Sequence, residues 1–311
     1  MKKAVILGNT NLGYSWFCLT FTQGLKLNGI EVKKIDYKST PLNEIKNKIL
    51  SYKPDIVFTH LSFHSNIYPT NIVLNLFKNI KNSLPDLKII HTCNDARTHD
   101  RYMEDLRGSF DAAFVGSYPL VDNCQKAFKV PVFYCPYSSL TYDKMSSPVP
   151  DLAFNYPVFT GSPDAHRTGW ADNRAQFIEN LQKVMKIKIF RTQSTNDLRN
   201  RTPELSVSAK CILGLCVGYE IPGYIDVRPF QYLGTGAFMI IRKFNQMDDL
   251  IPDDIYVPFY DYDNPLYVKE LWDEWKNKDT SNIRKKAFNY IQLHHSSKKR
   301  IKNILNIIGE L

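Results

Sequence analysis

The sequence predicts an α/β protein built from two Rossmann-like, doubly wound parallel sheets, one in each half of the chain. Short apolar runs rich in β-branched residues alternate with helical patterns throughout. The length of 311 residues suits two domains of about 150 residues. A stretch rich in Ser and Pro separates the two series, and 43% apolar with 23% charged residues is typical of a globular protein.

The first half contains six strand-like runs: KAVILG, EVKKID, DIVFTH, LKIIHTC, DAAFVG and PVFYCP. After the first run, Ser15 is placed to cap a helix that continues to Leu27 and stops at Asn28-Gly29. Thr40-Pro41 opens the next helix. We therefore interpret residues 1–140 as an N-terminal Rossmann-like domain and residues 141–157 as a linker.

The second half repeats the pattern over residues 158–290. PVFTGS, KIKIFRT, CILGLCV and AFMIIRK are predicted strands, and NRAQFIENLQKVM is a predicted helix with apolar positions near 3.6 spacing. Helical segments follow from about Pro265 to Leu311. Two halves of this kind are expected to form a cleft at the carboxyl ends of both sheets.

The charge and cysteine content restrict the class of protein further. The net charge is +9, and residues 1–150 hold 18 Lys/Arg against 12 Asp/Glu. Exposed helix faces would explain this excess, and an anionic partner such as nucleic acid, lipid or a phosphorylated substrate is the alternative. The sequence shows no transmembrane stretch or signal peptide, and its six cysteines lack a disulfide-like spacing, so we expect a cytoplasmic protein.

Polar residues follow the first and third predicted strands. The first loop, GNTNLG, lacks the GxGxxG spacing of dinucleotide sites, which disfavours a dehydrogenase. This loop either forms a plain tight turn or lines the acceptor site, with three candidate contacts: Asn9, Gly13 and Tyr14. THLSFHSN adds His60 as a candidate catalytic residue and His64 as a candidate acceptor contact. Without a nearby acidic third ligand, we do not expect these histidines to bind zinc.

The fourth strand runs into the most polar loop of the first half, HTCNDARTHDRY. Asp95 directly follows the buried run, where a carboxylate would be held within reach of an acceptor hydroxyl as a general base. Asp100 is the second candidate for this role, and Arg97 is a candidate acceptor contact. Asp95 would alternatively cap the next segment or pair with Arg97 or Arg101.

Candidate anion ligands lie at two helix starts in the second half. FTGSPDAHRTGWADNRAQF places Gly161 and Ser162 after a strand, and then Arg167 and Arg174 near the next helix. Backbone amides at a helix start attract anions, and arginine adds bidentate donors, although Arg174 alone would be an ordinary helix-surface residue. Arg228 stands at a second helix start, where the helix dipole disfavours a cation. An anion between the two starts would resolve both conflicts.

The segment GYIDVRPFQYLGTGAFMI resembles the donor site of GT-B fold glycosyltransferases, in which an Arg and a Phe-Glu pair precede a glycine and a strand. The nearest group is the CgeB-like spore-protein glycosyltransferases, with the DNA β-glucosyltransferases of T-even phages more distant. The resemblance covers the second half and is only topological over the first, apart from the polar loop at Asp95. It implies a GT-B fold, with a nucleotide sugar on residues 158–290, the acceptor on residues 1–140, and a C-terminal helix, 291–311, that packs back on the first domain.

The resemblance also implies roles for individual residues. The diphosphate would be held by three arginines and the helix start beside them: Arg167, Arg174, Arg228, Pro229 and Phe230. Gln231 stands where the family has a Glu on the ribose, so the identity of the donor is open. Gly223 replaces a second Glu that many retaining members have, which favours inversion with Asp95 as the base. Such enzymes do not hold a metal with protein ligands, and the nearest approach to a DxD motif is Asp261 with Asp263, which would line the sugar pocket or cap the next helix.

We therefore expect a hexosyltransferase, metal-independent or weakly metal-stimulated, that uses a nucleoside diphosphate sugar resembling UDP-glucose. The expected acceptor is an envelope, spore or protein glycan, with hydroxymethylated DNA as the alternative. The rival class is a non-catalytic α/β module that binds a nucleotide or nucleic acid, which the Glu-to-Gln departure at Gln231 favours. No tightly bound cofactor is expected, and the chain is expected to be a monomer or a weak dimer.

Overall fold

A computed structural model describes nine stretches of the chain: residues 1–8, 16–60, 69–93, 105–161, 174–190, 201–215, 224–243, 246–260 and 264–310. The chain forms two compact units, which are described separately below. Unit 1 comprises Met1–Leu140 and Ser297–Leu311, and unit 2 comprises Thr141–Ser296. Residues 141–157, interpreted from the sequence as a linker, are thus grouped with unit 2, and the chain returns to unit 1 at Ser297.

Unit 1 contains a six-stranded parallel sheet. Its strands are β1 (Lys3–Gly8), β2 (Glu31–Asp36), β3 (Ile56–His60), β4 (Lys88–Cys93), β5 (Ala112–Val115) and β6 (Val132–Tyr134). They follow the order β2-β1-β3-β4-β5-β6, and every neighbouring pair is parallel. The connecting helices are α1 (Trp16–Leu27), α2 (Leu42–Tyr52), α3 (Thr70–Ser83) and α4 (Val121–Phe128).

The apolar runs of the strands explain why this sheet is covered on both faces. From Ala4 to Gly8, β1 is buried at every position, as expected for a central strand of a parallel sheet. One apolar layer contains Phe77 of α3 and Phe128 of α4, and the opposite layer contains Phe17 and Phe21 of α1. Because the strand order reverses between β1 and β3, the carboxyl ends of these two strands, Gly8 and His60, flank the switch point of the sheet.

Unit 2 contains a second parallel sheet, of five strands. Its strands are β7 (Val158–Thr160), β8 (Lys188–Phe190), β9 (Ile212–Gly214), β10 (Met239–Arg242) and β11 (Val257–Phe259), in the order β11-β10-β9-β7-β8. Its helices are α5 (Arg174–Val184), α6 (Thr202–Ser208), α7 (Val227–Leu233), α8 (Pro265–Trp275) and α9 (Ser281–His295). The switch point of this sheet lies between β7 and β9.

The last helix, α10 (Ser297–Gly309), belongs to unit 1. Its backbone begins with a hydrogen bond from the amide of Ser297 to the carbonyl of Ser139, at 2.7 Å. The helix packs on α1 at Gly24, where a Cβ atom would overlap the side chain of Ile301. A glycine at this position therefore lets the two helices approach closely.

Two further observations concern the described residues as a whole. Five cysteines lie within them, and all five are buried free thiols: Cys18, Cys93, Cys124, Cys135 and Cys211. Within the same residues, no helix has both the length and the apolar character needed to span a bilayer.

Candidate functional site

Three of the predicted donor-site residues lie near the carboxyl-terminal edge of the sheet in unit 2. In doubly wound sheets, ligands bind outside the carboxyl ends of the strands at the switch point. Gly161 directly follows β7, and Leu215 directly follows β9, so both flank this point. The side chain of Arg228 lies against Gly161, and the side chain of Arg174 bonds to Leu215.

The contact between Arg228 and Gly161 is close. Gly161 adopts a φ of 139°, in the region that favours glycine. A Cβ atom built on Gly161 would lie 2.7 Å from Nη2 of Arg228 and 3.2 Å from its Cζ. The absence of a side chain at this position therefore lets the guanidinium reach the backbone at the end of β7.

Asp226 explains how a cation is tolerated in the first turn of α7. Its carboxylate accepts a hydrogen bond from the backbone N–H of Arg228 at 3.2 Å, and so caps the helix. The same carboxylate pairs with Nη1 of Arg228 at 2.7 Å. Asp226 therefore supplies part of the negative charge that the sequence led us to expect from a bound anion. The Arg228 side chain keeps 21% of its surface exposed, so solvent and small ligands can reach it.

Hydrogen bonds from α7 fix the helix against β7 and α6. The hydroxyl of Tyr232 bonds to Oγ1 of Thr160, the last residue of β7, at 2.6 Å. The side-chain amide of Gln231 donates to Oγ1 of Thr202, the first residue of α6, at 3.1 Å. In a contact between Gln231 and a ribose hydroxyl, the amide oxygen can serve as the acceptor while this bond to Thr202 is kept.

Arg174 is buried, so it is not the ordinary helix-surface residue that was its alternative interpretation. Only 4% of the residue is exposed, and Nη1 donates to the carbonyl of Leu215 at 3.3 Å. Arg242, the last residue of β10, is a second buried arginine, only 7% exposed, and was not among the predicted site residues. Arg174, the first residue of α5, thus contacts the residue that follows β9, and Arg242 ends the neighbouring strand β10. An arginine directly after an apolar run, as in AFMIIRK, was the sequence signal that could have identified Arg242 as a candidate.

Phe230 and Pro229 are buried in α7. Phe230 is fully buried, and its ring centroid lies 5.2 Å from that of His295. The side chain of Phe230 therefore packs inside unit 2 rather than offering a surface to a ligand. These two residues anchor the helix that carries Arg228.

Among the other predicted site residues, the structure describes only His60. His60 ends β3 at the carboxyl-terminal edge of the sheet in unit 1, beside Thr92 of β4, and only its backbone is described. The remaining candidates lie outside the described residues: Asn9, Gly13, Tyr14, His64, Asp95, Arg97, Asp100, Ser162, Arg167, Gly223, Asp261 and Asp263. Over the part of the chain that is described, no group of three or more His, Cys, Asp or Glu could hold a metal ion.

Comparisons with known proteins identify the fold. No protein-family model matches the chain, and no curated protein matches it either. Among solved structures, HepE from Anabaena in complex with UDP-glucose has a TM-score of 0.60 at 12% identity, covering 100% of both chains. A glycosyltransferase from Rickettsia africae has a TM-score of 0.58 at 12% identity, covering 99% of this chain and 98% of its own.

Sucrose-phosphate synthase from Thermosynechococcus elongatus gives a similar result. Its TM-score is 0.58 at 9% identity, covering 100% of this chain and 99% of its own. At such low identities the likeness establishes the fold, and the predicted GT-B fold of two Rossmann-like domains is confirmed. The comparisons do not distinguish the CgeB-like group from the phage group.

Proposed function

We propose that this protein is a glycosyltransferase that binds a nucleoside diphosphate sugar on unit 2. The observation that carries the proposal is the Arg228 guanidinium against Gly161 at the switch point of the sheet. A guanidinium presents a planar fork of N–H donors that matches phosphate oxygens, and it keeps its charge at any physiological pH. A partly exposed arginine at a strand end thus suits the diphosphate of such a donor.

We propose a UDP-sugar, and UDP-glucose in particular, as the donor. The supporting observation is that HepE, which shares the fold over the whole length of this chain, was crystallised with UDP-glucose. In this assignment the diphosphate contacts Arg228, and the oxygen of Gln231 accepts a hydrogen bond from a ribose hydroxyl. The amide of Gln231 stays bonded to Thr202, which fixes the orientation of the side chain.

The proposed reaction transfers the sugar to an acceptor hydroxyl. The acceptor oxygen forms a bond to the anomeric carbon, while the bond from that carbon to the diphosphate oxygen breaks. Negative charge then develops on the leaving diphosphate, where Arg228 would stabilise it. A base removes the acceptor proton, and we assign this role to Asp95, with Asp100 and His60 as the alternatives.

We propose that the acceptor binds to unit 1 and is an envelope, spore or protein glycan. The candidate contacts there are Asn9, Gly13, Tyr14, His64 and Arg97. DNA with hydroxymethylated bases is the second candidate, and the supporting feature is the positive charge of the chain, +9. We further propose that transfer needs no metal or is only weakly stimulated by one, since arginines supply the positive charge at the diphosphate.

The decisive experiment measures release of nucleoside diphosphate from a panel of sugar nucleotides, with and without glycan acceptors and hydroxymethylated DNA. We expect release with at least one UDP-sugar. Arg228→Ala should weaken donor binding by about tenfold to a hundredfold, as for loss of a charged hydrogen bond. Arg201→Ala is the matched control, because Arg201 lies in the same unit and pairs with Asp151 on its surface.

Two results would contradict the proposal. A folded Arg228→Ala variant with unchanged donor affinity would show that the donor binds elsewhere. Donor binding without release, for every sugar and acceptor, would instead favour the non-catalytic binding module. The bond from Gln231 to Thr202 is the observation that favours this second candidate, because it gives the glutamine a structural role without any ligand.

A further inference from the structure

The net positive charge of this protein comes from one of its two units. Unit 1 contains 21 Lys/Arg against 12 Asp/Glu, a net of +9, whereas unit 2 contains 19 of each and is neutral. The whole net charge of +9 thus belongs to unit 1. Net charge on one compact unit creates a field that attracts a polyanionic surface.

Five lysines of unit 2 pair with neighbouring carboxylates. Lys243 pairs with Asp248 and Asp253, and Lys269 and Lys276 both pair with Asp273. Lys278 and Lys286 pair with Glu274 and Asp254.

The first turns of α10 form the densest basic cluster of unit 1. Lys298, Lys299 and Lys302 are exposed there, and the first turn of α10 contains no acidic residue. Residues 298 and 302 share a helix face, as do 299 and 302, because they are four and three positions apart. Within the described residues, Lys299 and Lys302 form no salt bridge. The cluster therefore presents a continuous positive face.

This cluster adjoins an exposed face of α1. Asn28, at the end of α1, donates its side-chain amide to the carbonyl of Lys298 at 3.0 Å. Gln23 accepts a hydrogen bond from the hydroxyl of Ser297 at 2.6 Å. On the same face of α1 lie Leu19, Lys26 and Leu27, spaced i, i+7 and i+8. We define the α1–α10 surface as six exposed residues of these two helices: Leu19, Lys26, Leu27, Lys298, Lys299 and Lys302.

The two leucines distinguish this surface from a purely electrostatic one. Leu19 is 38% exposed and Leu27 is 45% exposed, although both belong to an otherwise well-packed helix. Lysines beside exposed aliphatic side chains match the interface of an anionic bilayer, where cations meet lipid headgroups and apolar groups enter the acyl boundary. A nucleic acid backbone would gain little from the leucines.

The contact between Asn28 and Lys298 lies at the amino-terminal edge of the sheet in unit 1, because Asn28 stands between α1 and the first residues of β2.

We propose that the α1–α10 surface docks this protein on an anionic lipid bilayer. Lys26, Lys298, Lys299 and Lys302 contact phosphate-bearing headgroups, and Leu19 and Leu27 enter the interface between headgroups and acyl chains. The docking is peripheral and reversible. It does not depend on the donor site proposed for unit 2.

The experiment measures co-sedimentation of the full chain with vesicles of phosphatidylcholine alone and of phosphatidylcholine mixed with phosphatidylglycerol. We expect binding only to the anionic vesicles, and weaker binding as salt is raised. The triple variant Lys298→Glu, Lys299→Glu, Lys302→Glu should bind about a hundredfold more weakly. Leu27→Ser should weaken binding without changing its dependence on salt.

The matched control is Lys183→Glu, Lys210→Glu, Lys285→Glu, which makes the same change in net charge on exposed lysines of unit 2. This control should keep vesicle binding, and thermal melting of both triple variants checks that they fold. Equal loss in the two triple variants, or equal binding to neutral vesicles, would overturn the proposal. Duplex DNA bound through the same three lysines, without vesicle binding, would overturn it in favour of a nucleic acid partner.

Discussion

The guanidinium of Arg228 occupies the space that a side chain on Gly161 would need. Nη2 of Arg228 lies 2.7 Å from the Cβ position of Gly161, and this glycine adopts a φ of 139°. The two residues come from different elements of unit 2, one after β7 and the other in α7. Their contact brings Gly161 at the end of β7 and Arg228 of α7 into one candidate anion site.

Gly161→Ala should therefore weaken donor binding by tenfold or more. The new methyl group would displace the guanidinium, and the backbone conformation would be strained by about 1–3 kcal/mol. The measurement is the affinity for a UDP-sugar by calorimetry, together with the melting temperature.

Gly29→Ala is the matched control for this change. Gly29 also has a positive φ, 78°, but no atom lies within 4 Å of its Cβ position. This variant should lose stability through backbone strain and keep its donor affinity. Equal donor affinity in Gly161→Ala and the parent protein would show that the contact with Arg228 has no role in binding.

The bond between Tyr232 and Thr160 should stabilise unit 2 by about 1 kcal/mol. Its two oxygens are 2.6 Å apart, and Tyr232 is only 4% exposed. Tyr232→Phe and Thr160→Val each remove one hydroxyl and nearly keep the shape of the side chain. Unfolding free energies of the two single variants and of the double variant form a double-mutant cycle. Strictly additive losses would show that the two hydroxyls are not coupled.

Replacement of Arg284 by methionine should destabilise the protein by about 3 kcal/mol. The guanidinium donates to four carbonyls at the end of α6, at 2.7 to 3.1 Å: those of Ser206, Val207, Ala209 and Lys210. Burial lowers the pKa of Arg284 from its usual value, although arginine stays protonated. The cation thus also complements the negative end of the helix dipole.

Denaturant unfolding measures this effect, with Lys285→Met as the control. Lys285 is exposed on the same helix, so its replacement should change the free energy of unfolding by less than about 0.5 kcal/mol. Similar values for the two variants would contradict a special role for Arg284.

Asp55 should make a small, pH-dependent contribution to the stability of unit 1. The backbone N–H groups of Lys2 and Lys3 donate to its carboxylate at 2.5 and 2.8 Å, and these bonds lower the pKa of Asp55. Because the folded pKa lies below the unfolded value of about 4, the stabilisation is present above the unfolded pKa. It is lost as the pH falls through the folded pKa.

Asp55→Asn should therefore lower the free energy of unfolding at pH 7 and make much less difference at pH 2–3. The difference at pH 7 should stay below about 1 kcal/mol, because the carboxylate is exposed. Denaturant titrations across this pH range test the expectation. A difference between the two proteins that grows as the pH falls would contradict it.

The strands of this protein were largely predictable from its sequence. KAVILG corresponds to β1, and EVKKID corresponds to β2 with identical bounds, because short β-branched runs between turn residues are a strong local signal. Helix α5 was also predictable, since its apolar positions recur near 3.6 spacing. These features depend on residues close together in the chain.

The chemistry of the candidate site was only partly predictable. Arg228 and Gly161 could be singled out as donor residues, but their direct contact required the fold. The burial of Arg174 depends on Leu215 of a different strand end, and periodicity carries no information on such a contact. Asp226 was missed although the signal was local, since an Asp two residues before Arg228 is a typical helix cap.

The discontinuity of unit 1 sets an order for folding during synthesis on the ribosome. Residues 141–296 of unit 2 have all been translated before α10 is made, whereas unit 1 still lacks the helix that covers α1. Until then, the apolar layer containing Phe17, Phe21 and Leu25 lacks Ile301, Ile304 and Ile308. Domains of nascent chains generally fold from the N-terminus onward. Here the part of the protein that is translated first is the last to complete its core.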